Sequence, residues 1–231
     1  MSTLLLKLNA PMQAWGSESR YTTRHTHTEP TKSGVLGLLA AAQGRRRTDP
    51  LEDLAELRFG VRVDQPGTLQ RDFQTAIDWR TGKSQPLSYR FYLADAVFVA
   101  GVEGEPELLE LLRTALHSPR FPLFLGRRSC PANHDILIGL SELDLEQALR
   151  EEKWHAASRH RRERGKSVEL PIYLDARPGS SGESRRDVPV SFDPTHRRYG
   201  WRQIESPDPV VKPNEAGREV VDPFFEAVAT V

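Results

Sequence analysis

Four clusters of side chains in this sequence have chemistry to offer. Lys32-Ser33-Gly34-Val35-Leu36-Gly37 sets a cation and small residues at an expected helix start. Free backbone N–H groups and the helix dipole favour an anion there. Gly34 and Gly37 would let a phosphodiester approach the backbone. The spacing is not the Gly-x4-Gly-Lys-Ser/Thr of a nucleotide loop, and the other reading is a helix with small residues packed close to a sheet. Gly126-Arg127-Arg128-Ser129 joins a glycine turn to two guanidinium forks, suited to phosphate or to one phosphate and one base, or else a solvated turn. Phe73, Trp79 and Tyr89 interleave with Arg80 and Arg90. That mixture suits bases stacked beside a tracked backbone, or a hairpin whose aromatics pack on a neighbouring subunit. Tyr21, His25, His27 and Lys32 offer a base, an acid and a stabilising charge for metal-independent RNA cleavage, or are exposed loop residues.

The elements that must position these residues follow from patterning. Leu4, Leu6 and Leu8 alternate with Leu5, Lys7 and Asn9, as a strand does. A polar loop runs from Pro11 to Pro30. A helix then runs to Gly44, with Thr31 or Ser33 as its N-cap and Gly44 in the left-handed closing position. Asp49-Pro50-Leu51-Glu52 predicts a short helix to about Leu57. Phe59, Val61 and Val63 predict a second strand, and Tyr89 to Val99 a long third one. Glu105-Pro106 opens a helix with Leu108, Leu109, Leu111, Leu112 and Leu116 inward. Phe121 to Leu125 and Ile136 to Ile138 are strand material around the arginine loop, and a short helix lies near Leu143 to Glu151. The order β-α-β, polar insertion, β-α-β predicts an α+β, ferredoxin-like sandwich of RNA-recognition type over residues 1–150. Residues 151–231 read as a small C-terminal β appendage, with strands at Val168 to Leu174 and Tyr199 to Ile204 around a Gly/Ser/Arg-rich loop. An extended tail from Ser206 and an apolar Phe224-Phe225 patch complete it.

Composition narrows the class. The formal charge is zero, with 32 cations and 32 anions, but only six of the cations are lysine. A GC-rich genome would inflate arginine by itself, so clustering says more than the total. Residues 1–47 carry seven cations against two anions, and residues 153–166 six against one. Such segregation permits a basic face on a neutral protein. The apolar run Val35 to Ala42 is far short of the roughly 20 residues a membrane span needs, and the N-terminus lacks a signal-peptide pattern. One cysteine, Cys130, excludes an internal disulfide framework. Cys130 and His134 have no second pair to complete a zinc site. We expect a cytoplasmic protein with no membrane contact, no metal and no cofactor.

Leu8-Asn9-Ala10-Pro11-Met12-Gln13-Ala14-Trp15-Gly16 and Pro30 to Ala41 resemble the N-terminal signature of the CasD family, the type I-E Cascade subunit of the RAMP superfamily. Arg90 to Phe98 is similar to that family's third-strand motif. Pro119-Arg120-Phe121 and Leu125 to Pro131 are similar to its arginine loop. The four blocks keep the family order and span residues 8–131; beyond about residue 150 the likeness thins to Arg198-Tyr199-Gly200-Trp201. The resemblance implies a ferredoxin-like domain with a thumb hairpin at about 71–89, bearing Phe73, Trp79 and Arg80. It implies a non-catalytic subunit that grips the 5′ handle of the CRISPR RNA, caps the backbone filament, touches the large subunit and meets target DNA within the assembled complex. The RNA contacts expected on this basis are Gln13, Trp15, Arg24, Lys32, Ser33, Gly34, Gly37, Arg90, Arg127 and Arg128, with Trp15 either a stacking platform or core. Type I-C relatives cleave precursor RNA with Tyr, Lys and His. Tyr21, His25 and Lys32 could imitate that set, but their spacing matches no family motif, so no catalytic role is carried over. A metal-independent endoribonuclease is the alternative.

Overall fold

The computed structural model describes residues 2–16, 22–177 and 179–219. Strand β1 (Ser2–Asn9) buries Leu4, Leu6 and Leu8 on one face and Leu5 on the other. Two short pieces, β2 (Met12–Gln13) and β3 (Thr23–Arg24), precede helix α1 (Lys32–Gln43). The Thr31 hydroxyl caps α1 by accepting from the Gly34 N–H at 3.3 Å, and Gly44 closes it at φ +81°. Both ends therefore use the residues the sequence offers. Helix α2 (Glu52–Ala55) is shorter than expected, because Asp49 accepts from the Arg46 N–H at 2.7 Å and closes a turn instead of capping the helix.

Strands β4 (Arg58–Gln65), β5 (Thr68–Gln74), β6 (Ser88–Ala94) and β7 (Val97–Gly104) follow. The expected single strand over 89–99 is two strands. Asp95 sits at φ +54°, a left-handed conformation that a short polar side chain tolerates, and the chain changes sheets there. Helix α3 (Pro106–His117) buries Leu109, Leu112 and Leu116, while Leu111 is exposed. Leu111 lies about 200° around the helix from Leu109 and so cannot share its face. Residues 121–125 form no strand; a lone bridge joins Phe124 to Pro131. Strand β8 (Leu137–Ser141) leads to α4 (Leu145–Glu151), capped by Asp144, and α5 (Ser158–Arg162). Strands β9 (Ser167–Leu170), β10 (Ile172–Asp175), β11 (Glu183–Ser191), β12 (Arg198–Glu205) and β13 (Val210–Pro213) complete the order.

Seven strands form one antiparallel sheet in the order β11-β12-β10-β4-β7-β1-β8. On one face α1 and α3 bury Leu36, Leu39, Leu109 and Leu112 with Leu6, Leu8 and Phe98. A second core sets Leu145, Leu149 and Trp154 against Leu5, Val99, Ile172 and Leu174. The C-terminal strands are not set apart as an appendage: β10 pairs directly with β4, and only β9 and β13 form a separate two-stranded sheet. Strand β11, expected as loop, is an edge strand whose polar sequence pairs only with β12. A small sheet holds β2, β3, β5 and β6. Its β5–β6 hairpin pairs from Thr68–Ala94 to Gln74–Ser88, and most of β5 is exposed. Tyr21 and the Phe224-Phe225 patch lie outside the described residues. No helix among the described residues is long and apolar enough to cross a membrane.

Candidate nucleic-acid interface

A groove of about 1010 Å³ runs between α1, the segment after its C-terminus and residues 121–128. Seven arginines line it: Arg24, Arg45, Arg46, Arg47, Arg127, Arg128 and Arg197. No aspartate or glutamate does. Phe121, Phe124, Phe192 and Tyr199 supply aromatic walls. Arg45 is bound to Asp53 through both carboxylate oxygens. The side chains of Arg24, Arg46, Arg47 and Arg128 bond no other described residue. Like charges gathered without counter-charges repel one another, so an anion relieves the arrangement. Guanidinium forks beside aromatic faces match an unpaired polynucleotide, whose phosphates and bases need those two partners.

The expected site residues separate into two groups. Arg24, Arg127, Arg128, Ser33, Gly34, Gly37 and Trp15 border the groove. Gln13 and Trp15, however, are fully buried. The Gln13 amide donates to the carbonyls of Leu8 and Ala96 at 3.1 and 2.8 Å and accepts from the Trp15 indole N–H at 3.1 Å. These side chains hold the first loop against the sheet, and Trp15 is core rather than a stacking platform. Gly34 is small because of Trp15: a Cβ there would lie 2.7 Å from the indole. Gly37 faces the Phe192 ring. Close packing thus accounts for Gly34, whereas a Cβ at Gly37 would make ordinary contact with the Phe192 ring, 3.4 Å away. Arg90 is partly buried at the hairpin base, in register with Asp72 of β5 and Arg24 of β3, and its Nε has no partner. Phe73 and Trp79 are exposed on the hairpin, with Arg80 over the Trp79 ring at 5.8 Å.

The start of α1 is already occupied. Lys32 is 5% exposed, and its ammonium donates to Asp175 at 2.8 Å. Its backbone N–H donates to Asp187 at 2.9 Å. Arg202 binds Asp187 at 2.6 and 2.9 Å and Asp175 at 2.6 Å. Burial pushes the Asp187 carboxyl up, but the Arg202 guanidinium and the Lys32 N–H outweigh it and hold the group below the usual carboxylate range. A carboxylate of this chain therefore takes the helix-terminal position that the sequence suggested for phosphate. The residues that sequence reasoning missed are Arg46, Arg47, Arg197, Phe192 and Tyr199. The run Arg45-Arg46-Arg47 after Gly44 was the available signal, but cations at a helix C-terminus are common for the dipole alone.

Of the cleavage candidates, Tyr21 lies outside the described residues, and two others are already engaged. His25 stacks on Phe91 at 5.2 Å between ring centroids, and the Lys32 charge is engaged with Asp175. Cys130 is buried, and burial pushes its thiol up, away from the reactive thiolate. Among the described residues no group of three or more His, Cys, Asp or Glu is placed to hold a metal.

A profile of the family described as CRISPR-associated protein (Cas_Cas5) matches residues 3–205. The chain belongs to the Cas5 family. The CRISPR system Cascade subunit CasD of Escherichia coli (strain K12) is 37% identical to this Cas5 chain over 169 residues, 64% of this chain and 75% of that protein. A chain of a solved CRISPR RNA-guided surveillance complex superposes with a TM-score of 0.75 at 31% identity, covering 99% of this chain and 98% of its own. A crystal structure of a Cas protein gives 0.67 at 38% identity, covering 94% and 98%. The match at this identity runs through the C-terminal strands as well, where the sequence resemblance was thin. Strand β12 contributes Tyr199, and the β11–β12 loop contributes Phe192 and Arg197, to the groove of this Cas5 chain.

Proposed function

We propose that this Cas5 chain is a non-catalytic, RNA-binding subunit of a Cascade-type surveillance complex, and that its arginine groove holds the 5′ handle of the CRISPR RNA. The groove itself carries the proposal: seven arginines, aromatic walls and no lining carboxylate. The order β1-α1-β4-β7-α3-β8, with the inner strands arranged β4-β7-β1-β8, reads as the ferredoxin-like scaffold of an RNA-recognition unit. The hairpin over 68–94 acts as the thumb. Its exposed Leu69, Phe73, Ile77 and Trp79 need a partner surface, which a backbone subunit supplies. Target sequence is read by guide pairing and not by this chain.

The test is recovery of the assembled complex with its RNA when the chain is expressed beside its partner subunits. Replacing Arg46, Arg47 and Arg128 by alanine lowers the RNA content of the complex. Unchanged RNA and assembly in that variant overturn the reading. Purified chain in excess over repeat RNA, without divalent metal, yields no discrete cut; a cut abolished by His25→Ala would make the chain a nuclease instead.

A further inference from the structure

Arg127 lines the groove, yet its guanidinium is turned into the protein. Nη1 donates to the Phe91 carbonyl at 3.0 Å, and Nη2 donates to the carbonyls of Arg24 and His25 at 2.8 and 3.2 Å. The same group lies over the Tyr92 ring at 4.8 Å. A guanidinium meets a phosphate with two parallel bonds either end-on, through both terminal nitrogens, or side-on, through Nε and Nη2. Both modes need an Nη2 hydrogen, and both Nη2 hydrogens are committed. Arg127 therefore has no bidentate edge to give to a ligand.

What Arg127 holds is the short strand β3 and the residue after it. Strand β3 is two residues long and pairs parallel to β6, with Thr23 beside Tyr89 and Arg24 beside Arg90. That register puts two like charges side by side, which opposes the pairing. Its other ties nearby are the Tyr89 N–H to the Thr22 carbonyl at 2.6 Å, the His25 ring on Phe91 and, just beyond, the Trp15 N–H to the Thr26 hydroxyl and the His27 N–H to the Trp15 carbonyl, both at 2.8 Å. Arg127 is itself fixed: Gly126 is left-handed against the Ala14 backbone, and the Cys130 N–H donates to the Arg127 carbonyl at 2.9 Å.

We infer that Arg127 is a positioning residue, which clamps β3 to β6 and so presents the unengaged Arg24 guanidinium to the groove. This rests on the groove being the RNA site. The clamp makes Arg24 a fixed contact instead of a mobile one, so ligand binding meets less ordering cost.

A double-mutant cycle on the full chain tests it, with a fluorescein-labelled single-stranded oligouridylate as probe. Arg127→Lys keeps the charge but cannot span three carbonyls. R24A and R127K should each weaken binding by about tenfold, and the double variant no more than either alone. Multiplied losses, or wild-type affinity in R127K, overturn the inference. His25→Ala removes the stack on Phe91, loosens β3 by an independent route and should lower affinity without adding to R24A. Amide exchange over residues 22–27 gives the readout that needs no RNA: faster exchange in R127K and in H25A is expected, and unchanged exchange in R127K refutes the clamp. Failure of the wild-type chain to bind the probe would count against the groove reading, and the exchange result would still decide the clamp.

Discussion

The salt dependence of RNA binding can be worked from the groove. Arg24, Arg46, Arg47 and Arg128 are the lining cations with no bond to another described side chain, so they are counted as four phosphate contacts. Arg45 is left out because Asp53 neutralises it, and Arg127 because its donors are committed. Each contact with a single strand releases condensed counterions and contributes about −0.7 to the slope of log K against log salt. Four contacts give a slope of about −2.8, or a loss of about 50-fold between about 50 and 200 mM salt. Alanine at Arg46, Arg47 and Arg128 leaves one contact, a slope of about −0.7 and a loss of only about threefold over that range. Fluorescence anisotropy with a labelled single-stranded oligouridylate at several potassium chloride concentrations measures both slopes. The decisive quantity is the slope, not the affinity. A triple variant that binds more weakly with the wild-type slope has lost shape and not phosphate contacts, and that result refutes the assignment of these arginines.

Four further predictions concern the fold around the groove and the hairpin. Asp187→Ala leaves Arg202 with Asp175 alone and opens the α1 terminus; losing one partner of a buried pair costs at most about 3–5 kcal/mol, so thermal unfolding should fall by several degrees and no more than roughly 20 °C for a chain this size, and a shift under a couple of degrees would deny the network that role. The Asp187 carboxyl is held below its ordinary value, so its stabilisation is complete above about pH 4, the unfolded value, and is lost as pH falls through the lower folded value; melts from neutral to acid pH should show a slope that Asp187→Asn flattens. Gly126→Ala places a Cβ 1.7 Å from the Ala14 carbonyl oxygen at φ +88°, which should cost more than the roughly 1–2 kcal/mol of left-handed strain alone and, by calorimetry, exceed any loss from Gly82→Ala at φ +65° in open space. Trp15→Ala should cost about 3–5 kcal/mol as a core truncation, whereas Trp79→Ala, 88% exposed, should leave the melt within about 0.5 kcal/mol of wild type and lower only the recovery of assembled complex.

Local pattern made much of this legible. The β1 alternation, both caps of α1 and the inward leucines Leu109, Leu112 and Leu116 are written in adjacent residues, and each forms as read. The misreadings share a cause, which is partners far away in sequence. Lys32 looks like an anion site until Asp175 and Asp187, more than 140 residues on, are folded against it. Strand β11 is polar and interrupted by Pro189, so nothing local marks it; β12 creates it by pairing. The break between β6 and β7 rests on one residue, Asp95, inside an alternation that otherwise continues. Gln13 and Trp15 were legible as important but not in kind, because burial and not residue type separates a core indole from a stacking platform.

The neutral total charge and the basic groove are reconciled by where the acids lie. Lys32, Arg58, Arg62, Arg185 and Arg202 are spent inside the fold on Asp175, Glu103, Asp64, Glu29 and Asp187. Those pairs remove cations and anions in equal number from what a ligand can meet. Arg62 shows the arrangement fully: it is 0% exposed, binds Asp64, and donates to the carbonyls of Leu149, Glu152 and Lys153 behind α4. Pairs of this kind add little net stability over apolar packing but are costly to break, so they fix how β10 to β12 and α4 sit against the central strands. One such pair, Arg202 with Asp187, sits at the start of the helix whose Gly34, Gly37 and Ala41 line the groove. Four arginines without acids, Arg24, Arg46, Arg47 and Arg128, meet at the groove. A count over the chain cannot find them, because the quantity that matters is charge left unpaired at one surface. The arginine excess is a single bias that the fold has divided between buried pairs and arginines left unpaired at the surface.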